Sequence, residues 1–224
     1  RLDGILKKVI SDLREGDLLF VFSDHGFTTY RRNFDVNRFL IDRGYMGLEE
    51  EVGKELFQSV RWDRTSAYAC GFCGIYINKE GREGLGIVTS KKAPRLLNEI
   101  KAELLKLRDP KTGLSPIRKV WSGEEIYKGP NLKLAPDLVL GLREGYRFSW
   151  QTALGGSSKE LFSDNLDPWS GTHLVDPELV PAFFMANKKL TRKKISVLDI
   201  APTVLTAFGI QVPGDLEGAS FLEG

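Results

Sequence analysis

The sequence predicts an α/β domain with a largely parallel central sheet flanked by helices. Three observations carry this expectation. Apolar residues recur at helical spacing in several stretches, short uninterrupted apolar runs lie between them, and those runs stop in polar loops that contain glycine. The 224 residues, 42% hydrophobic and 28% charged, read as one domain, 1–224, with a sizeable core, and this composition excludes a disordered chain.

Residues 1–13 carry Leu2, Ile5, Leu6, Val9, Ile10 and Leu13 on one helical face and Lys7, Lys8 and Asp12 on the other, with Gly16 as the expected stop. Residues 18–22 then read as a fully buried strand ending at Ser23, Asp24, His25 and Gly26, followed by a polar loop. Residues 33–42 form a capped helix closed by Gly44. Residues 68–77, rich in aromatics and glycines, read as one strand. Residues 91–107 are a helix with Leu96, Leu97, Ile100, Leu104 and Leu107 on one face, and Asp109, Pro110 and Gly113 turn the chain after it. Residues 117–121, 138–142 and 182–186 are short buried strands. Residues 196–208 form a last helix, entered through Asp199 and Pro202 and ended by Gly209.

Charge and cysteine content narrow the function classes. Lys and Arg total 32 against 30 Asp and Glu, so the chain lacks the basic excess of a nucleic-acid binder. Its apolar runs are far shorter than the ~20 residues of a membrane span, so no membrane association is expected. Two cysteines in 224 residues build no disulfide framework, which makes a reducing cytoplasm the expected compartment. Cys70 and Cys73 have CxxC spacing, but no second Cys or His pair accompanies them, and they read as small buried residues of a core strand.

Histidine is scarce, with two copies, and both lie beside glycines in loops next to strands. His25 follows Asp24 at a strand end, where a carboxylate and an imidazole can reach one metal ion. His173 closes Ser170, Gly171, Thr172, His173, eight residues before Pro181. Either histidine alone is compatible with capping a turn; the two together point to metal binding. Arg31 and Arg32 follow the first loop closely enough to meet a phosphate, with surface solvation the plainer role for both. Trp150 and Gln151, with the loop Gly155, Gly156, Ser157, Ser158, precede the His173 segment and can line a substrate pocket or form a surface loop. Asp137 and Asp63 fit turn or cap roles better than metal support.

The string Phe22-Ser23-Asp24-His25-Gly26-Phe27 resembles the metal motif of the alkaline phosphatase superfamily, in its type I phosphodiesterase/nucleotide pyrophosphatase branch and the related predicted phosphohydrolases and phosphomutases. Asn37-Arg38-Phe39-Leu40, the segment from Gly71 to Asn78, Ala135-Pro136-Asp137, Ser149-Trp150-Gln151-Thr152, Gly171-Thr172-His173 and Asp199-Ile200-Ala201-Pro202-Thr203 match in order. The resemblance implies an alkaline-phosphatase-like fold and a metal-dependent hydrolase of small-molecule phosphate esters with two divalent ions, zinc or manganese. Asp24 and His25 would ligate one ion and His173 the other, and Trp150, Gln151 and Arg31 would meet substrate. The pattern also calls for a Thr or Ser nucleophile and further Asp and His ligands ahead of Asp24, where 23 residues hold no histidine. The chain is therefore expected to be the C-terminal portion of a longer enzyme, with no catalytic nucleophile of its own and the N-terminal half of the fold supplied by a longer chain or a second fragment. The alternatives are a phosphomutase on the same fold and a non-catalytic remnant that binds a metal or a partner.

Overall fold

Local signals in the sequence account for most of the helices. In the computed structural model, which describes Arg1–Leu222, α1 (Leu2–Asp12) forms over the predicted amphipathic stretch, although none of its residues is buried. Strands β1 (Phe20–Phe22) and β2 (Thr28–Phe34) follow. Helix α2 (Val36–Asp42) starts where the Asp35 carboxylate accepts from Arg38 N at 2.7 Å and stops ahead of Gly44, whose φ of 75° suits a residue without Cβ. Strands β3 (Ala67–Cys70) and β4 (Gly74–Ile77) precede α3 (Ala93–Lys106), which buries Ala93, Ile100 and Leu104 on the predicted face.

Strand β5 (Ile117–Ser122) runs into the short helix α4 (Gly123–Ile126), which Ser122 and Glu125 join in a capping box. Strands β6 (Leu138–Leu142) and β7 (Gly145–Phe148), helix α5 (Trp150–Ala153), and strands β8 (Phe162–Asp164), β9 (Gly171–Thr172) and β10 (Phe184–Ala186) come next. Helix α6 (Ile200–Ala207) is preceded by a 3-10 turn, Val197–Asp199, capped by Ser196.

The chain divides into two units, one of Arg1–Gly26 with Ala182–Gly224 and one of Phe27–Pro181. In the first, β1 pairs antiparallel with β10. Phe20, Phe184 and Phe221 pack with ring centroids 5.0–5.7 Å apart. Asp199 accepts from Ser196 N, Ala219 N and Arg192, and these hydrogen bonds, the backbone ones foremost, hold its carboxyl below the usual range.

The second unit holds two four-stranded sheets. One has the order β3-β4-β6-β5 and is antiparallel throughout. The other is built on β2, with β7 parallel to it and β8 and β9 antiparallel. Phe34, Phe39, Leu40, Ile75, Ile77, Ile100 and Leu104 form its core, each at 0% exposure.

Several expectations are corrected. Among the described residues the named strand pairs are antiparallel except β2 with β7, so the sheets are not largely parallel. Part of the reason is local: residues 71–73 turn the chain at Gly71, φ 71°, and split the stretch 68–77 into a hairpin. That turn also removes the cysteines from a core strand. Cys70 is exposed at the end of β3, and Cys73 is half-buried in the turn, where burial pushes its thiol up. Strands β1 and β10, both expected to be buried, are only partly so, Phe22 being 44% and Met185 50% exposed. The loop from Gly155 to Ser158 is neither a pocket wall nor a surface loop: Gly155, Gly156 and Ser157 are buried. Ser157 N donates to Gly53 O at 2.9 Å, and Ser158 N and Oγ each donate to Asp35 at 2.8 Å.

Candidate functional site

Asp24 and His25 follow β1 in the first unit, whose β1–β10 pairing continues as Ser23 N donating to Phe183 O at 3.1 Å. The Asp24 side chain is 80% exposed. Its Oδ1 accepts from His25 N at 3.0 Å, which turns the carboxylate toward the imidazole. His25 Nδ1 lies 2.9 Å from Gly26 O. A carbonyl only accepts, so this hydrogen bond puts the proton on Nδ1 and leaves the lone pair of the neutral ring on Nε2. A backbone carbonyl commonly fixes a metal-ligating histidine in this manner.

Nε2 and Asp24 Oδ2 stand 3.4 Å apart. Two donors ~2.1 Å from a tetrahedral zinc lie ~3.4 Å from each other, so the pair fits one edge of such an ion's coordination shell. It supplies no more than that edge: no group of three or more His, Cys, Asp or Glu suited to a metal gathers among the described residues.

His173 belongs to the second unit. It directly follows β9, whose Thr172 is buried and pairs with Thr28, while Gly171 pairs with Thr29. The His173 ring meets the Phe27 ring edge-to-face, with centroids 5.7 Å apart and planes at 80°. Side chains alternate along these strands. Thr28, Tyr30 and Thr172 are buried or partly so, whereas Phe27, Thr29, Arg31, Gly171 and His173 are exposed. Arg31 therefore shares the exposed face of β2 with the residues beside His173.

The two adjacent arginines separate. Arg32 turns inward, donating from Nε and Nη2 to Asp109 at 2.8 and 3.0 Å and from Nη1 to Asp164 at 2.7 Å. Burial pushes the Asp109 carboxyl up, but hydrogen bonds from Arg32 and Lys111 N outweigh it and hold the group below the usual range.

Trp150 and Gln151 lie at the other end of β2. Ser149 N donates to Phe34 O, and β7 runs parallel to β2 with Phe148 opposite Phe34, whereas His173 follows the partner of Thr28. Six residues of strand separate those ends, roughly 20 Å. Trp150 is half-exposed there, with the Arg147 guanidinium 4.3 Å from its ring centroid and the Phe72 ring centroid 5.2 Å away. Asp137 accepts from Lys79, Arg82 and Ile77 N in the wall of a groove of about 840 Å³, so its carboxylate organises cations and backbone. Asp63 is exposed and pairs with Arg61 at 2.9 Å.

The family model for type I phosphodiesterase/nucleotide pyrophosphatase matches residues 1–160. The chain belongs to this family. A phosphodiesterase/nucleotide pyrophosphatase acts on phosphoric esters, and the match takes in Asp24, His25 and Arg31 and ends ahead of His173. No curated protein matches the chain. Among the described residues no helix is long and apolar enough to cross a membrane.

Proposed function

We propose that this phosphodiesterase-family chain serves the metal-dependent hydrolysis of a small phosphate ester, with a Thr or Ser nucleophile contributed from outside these 224 residues. Asp24 Oδ2 and His25 Nε2 hold one divalent ion, and His173 ligates another. Ions so held would neutralise charge on the phosphoryl oxygens and lower the pKa of a bound water toward ~7. The chain's own contributions are specific. Gly26 O keeps the proton on His25 Nδ1, Phe27 bears on the His173 ring, and Arg31 offers a guanidinium to phosphoryl oxygens on the face that His173 shares.

The observation that carries the reading is the 3.4 Å spacing of Asp24 Oδ2 and His25 Nε2, with Nδ1 fixed by a carbonyl. Zinc and manganese both accept this donor pair. The test is metal content and affinity of the chain after equilibration with each ion. His25→Ala is expected to weaken binding by at least the ~10-fold that losing even a ligand's hydrogen-bond partner costs, with the circular dichroism spectrum unchanged. Equal metal content in His25→Ala and the parent overturns the assignment.

A second reading, a chain that binds one ion without turnover, is favoured by the absence of a three-ligand cluster among the described residues. Hydrolysis of a phosphodiester by the metal-loaded chain overturns this second reading.

A further inference from the structure

We propose that Cys70 and Cys73 are a redox-modification site, a dithiol that a small disulfide compound oxidises to a bond closing the β3–β4 turn. This stands apart from the metal reading, which uses neither thiol.

Cys70 is the last residue of β3 and pairs with Gly74, the first of β4, so Gly71, Phe72 and Cys73 make up the whole turn. Opposed Cα atoms of an antiparallel pair stand ~5 Å apart, and Cys73 is the chain neighbour of Gly74. Residues three apart in a tight turn bring their Cα atoms within ~7 Å of each other. A disulfide spans ~4.4–6.8 Å between Cα atoms, so the pair is within bonding reach with little backbone movement. The two side chains also bear on one neighbour. Burial pushes the Tyr76 phenol up, and negative charge on Cys70, and more weakly on Cys73, pushes it further.

The turn is held at both ends. Gly71 N donates to Ala153 O at 3.2 Å, and Leu140 N donates to Cys73 O at 2.9 Å. Between them the Phe72 ring meets Trp150 edge-to-face. The two thiols differ in access: Cys70 is exposed, whereas Cys73 is half-buried and burial pushes its thiol up. That difference assigns the steps. Cys70 loses its proton to solvent and attacks one sulfur of the small disulfide, whose S–S bond breaks and releases one half as a thiolate. Cys73 then loses its proton and attacks Cys70 Sγ, expelling the other half. Two protein thiols are oxidised to one disulfide, the small disulfide is reduced to two thiols, and the leaving thiolates take up the protons. Because Cys70 is exposed, the bond stays open to attack by small thiols and the change is reversible. The ring so closed encloses Phe72, the residue packed on Trp150.

The test treats the full chain, freed of reductant, with oxidised glutathione in the presence of EDTA, so that no metal holds the thiols. Thiol titration and intact mass follow the reaction. The parent is expected to lose both of its thiols and to carry no glutathione, at a rate independent of chain concentration. Dithiothreitol should restore both. Cys73→Ser should stop at one glutathione on Cys70, and Cys70→Ser should react more slowly than Cys73→Ser. Thiols that survive in the parent, a lasting glutathione adduct on its Cys70, or a bond between two chains overturns the inference. Equal rates for the two variants overturn the roles assigned to the two thiols.

Discussion

The two units of this chain use apolar residues in opposite ways. In Phe27–Pro181, large side chains from α2, α3 and both sheets close on one another until Phe34, Phe39, Leu40, Ile75, Ile77, Ile100 and Leu104 are fully buried. In the unit of Arg1–Gly26 with Ala182–Gly224, only Asp199, Pro202, Thr203 and Phe221 are buried among the described residues. Leu2, Ile5 and Ile10 of α1 are 78%, 56% and 58% exposed, although their spacing is as regular as that of α3. Helical spacing thus specifies a face and leaves its partner unspecified. The first unit is ordered instead by polar ties, Asp199 accepting from Ser196, Ala219 and Arg192, and by the trio Phe20, Phe184 and Phe221.

This contrast can be broken by mutation. The largest effect is expected in the core: Phe39→Ala should cost about 4 kcal/mol, as for other large-to-small changes at fully buried aromatics. Urea denaturation would show it, and a loss below ~1 kcal/mol would mean that the second unit is not the better packed one.

Asp109→Asn should come next, at about 3 kcal/mol, because it removes the buried one of the two carboxylates that neutralise Arg32. Its pH dependence sharpens the point. A carboxyl whose folded pKa is depressed stabilises the fold above its unfolded value of ~3.9, and that stability is lost as pH falls through the folded value. The gap between the parent and Asp109→Asn should therefore be widest near neutrality and close below pH ~4. A gap that stays constant over that range would show that packing, and not charge, sets the effect.

The smallest effect is expected in the first unit. Ile5→Ser replaces a mostly exposed residue by one of similar helix propensity and should change stability by no more than ~0.5 kcal/mol. Amide hydrogen exchange of α1 would check it locally; a loss of ~2 kcal/mol or more would mean that this face is covered in solution.

Much of the candidate site was legible as motif and little of it as arrangement. The pairing of Asp24 with His25 could be read from adjacency, because two neighbouring residues at a strand end cannot be far apart. Strand β2 could not: Thr28, Thr29, Arg31, Arg32 and Asn33 make it look like a polar loop, since one face meets water and Arg32 is neutralised by Asp109, 77 positions away. The even-odd alternation of Tyr30 and Phe34 against Thr29 and Arg31 was the signal available.

By itself the sequence determined what depends on a few consecutive residues. The Asp35 cap of α2, the buried face of α3, strand Leu138–Leu142 and the stop of the last helix before Gly209 all follow from local hydrogen bonds, side-chain spacing and backbone freedom. The tertiary structure alone decided which strands pair and in which direction, which of Arg31 and Arg32 meets water, and that Trp150 and His173 lie at opposite ends of β2. Those outcomes rest on ladder hydrogen bonds and ion pairs between residues tens of positions apart, and a strand's pattern records that one face is buried without recording the neighbour that buries it.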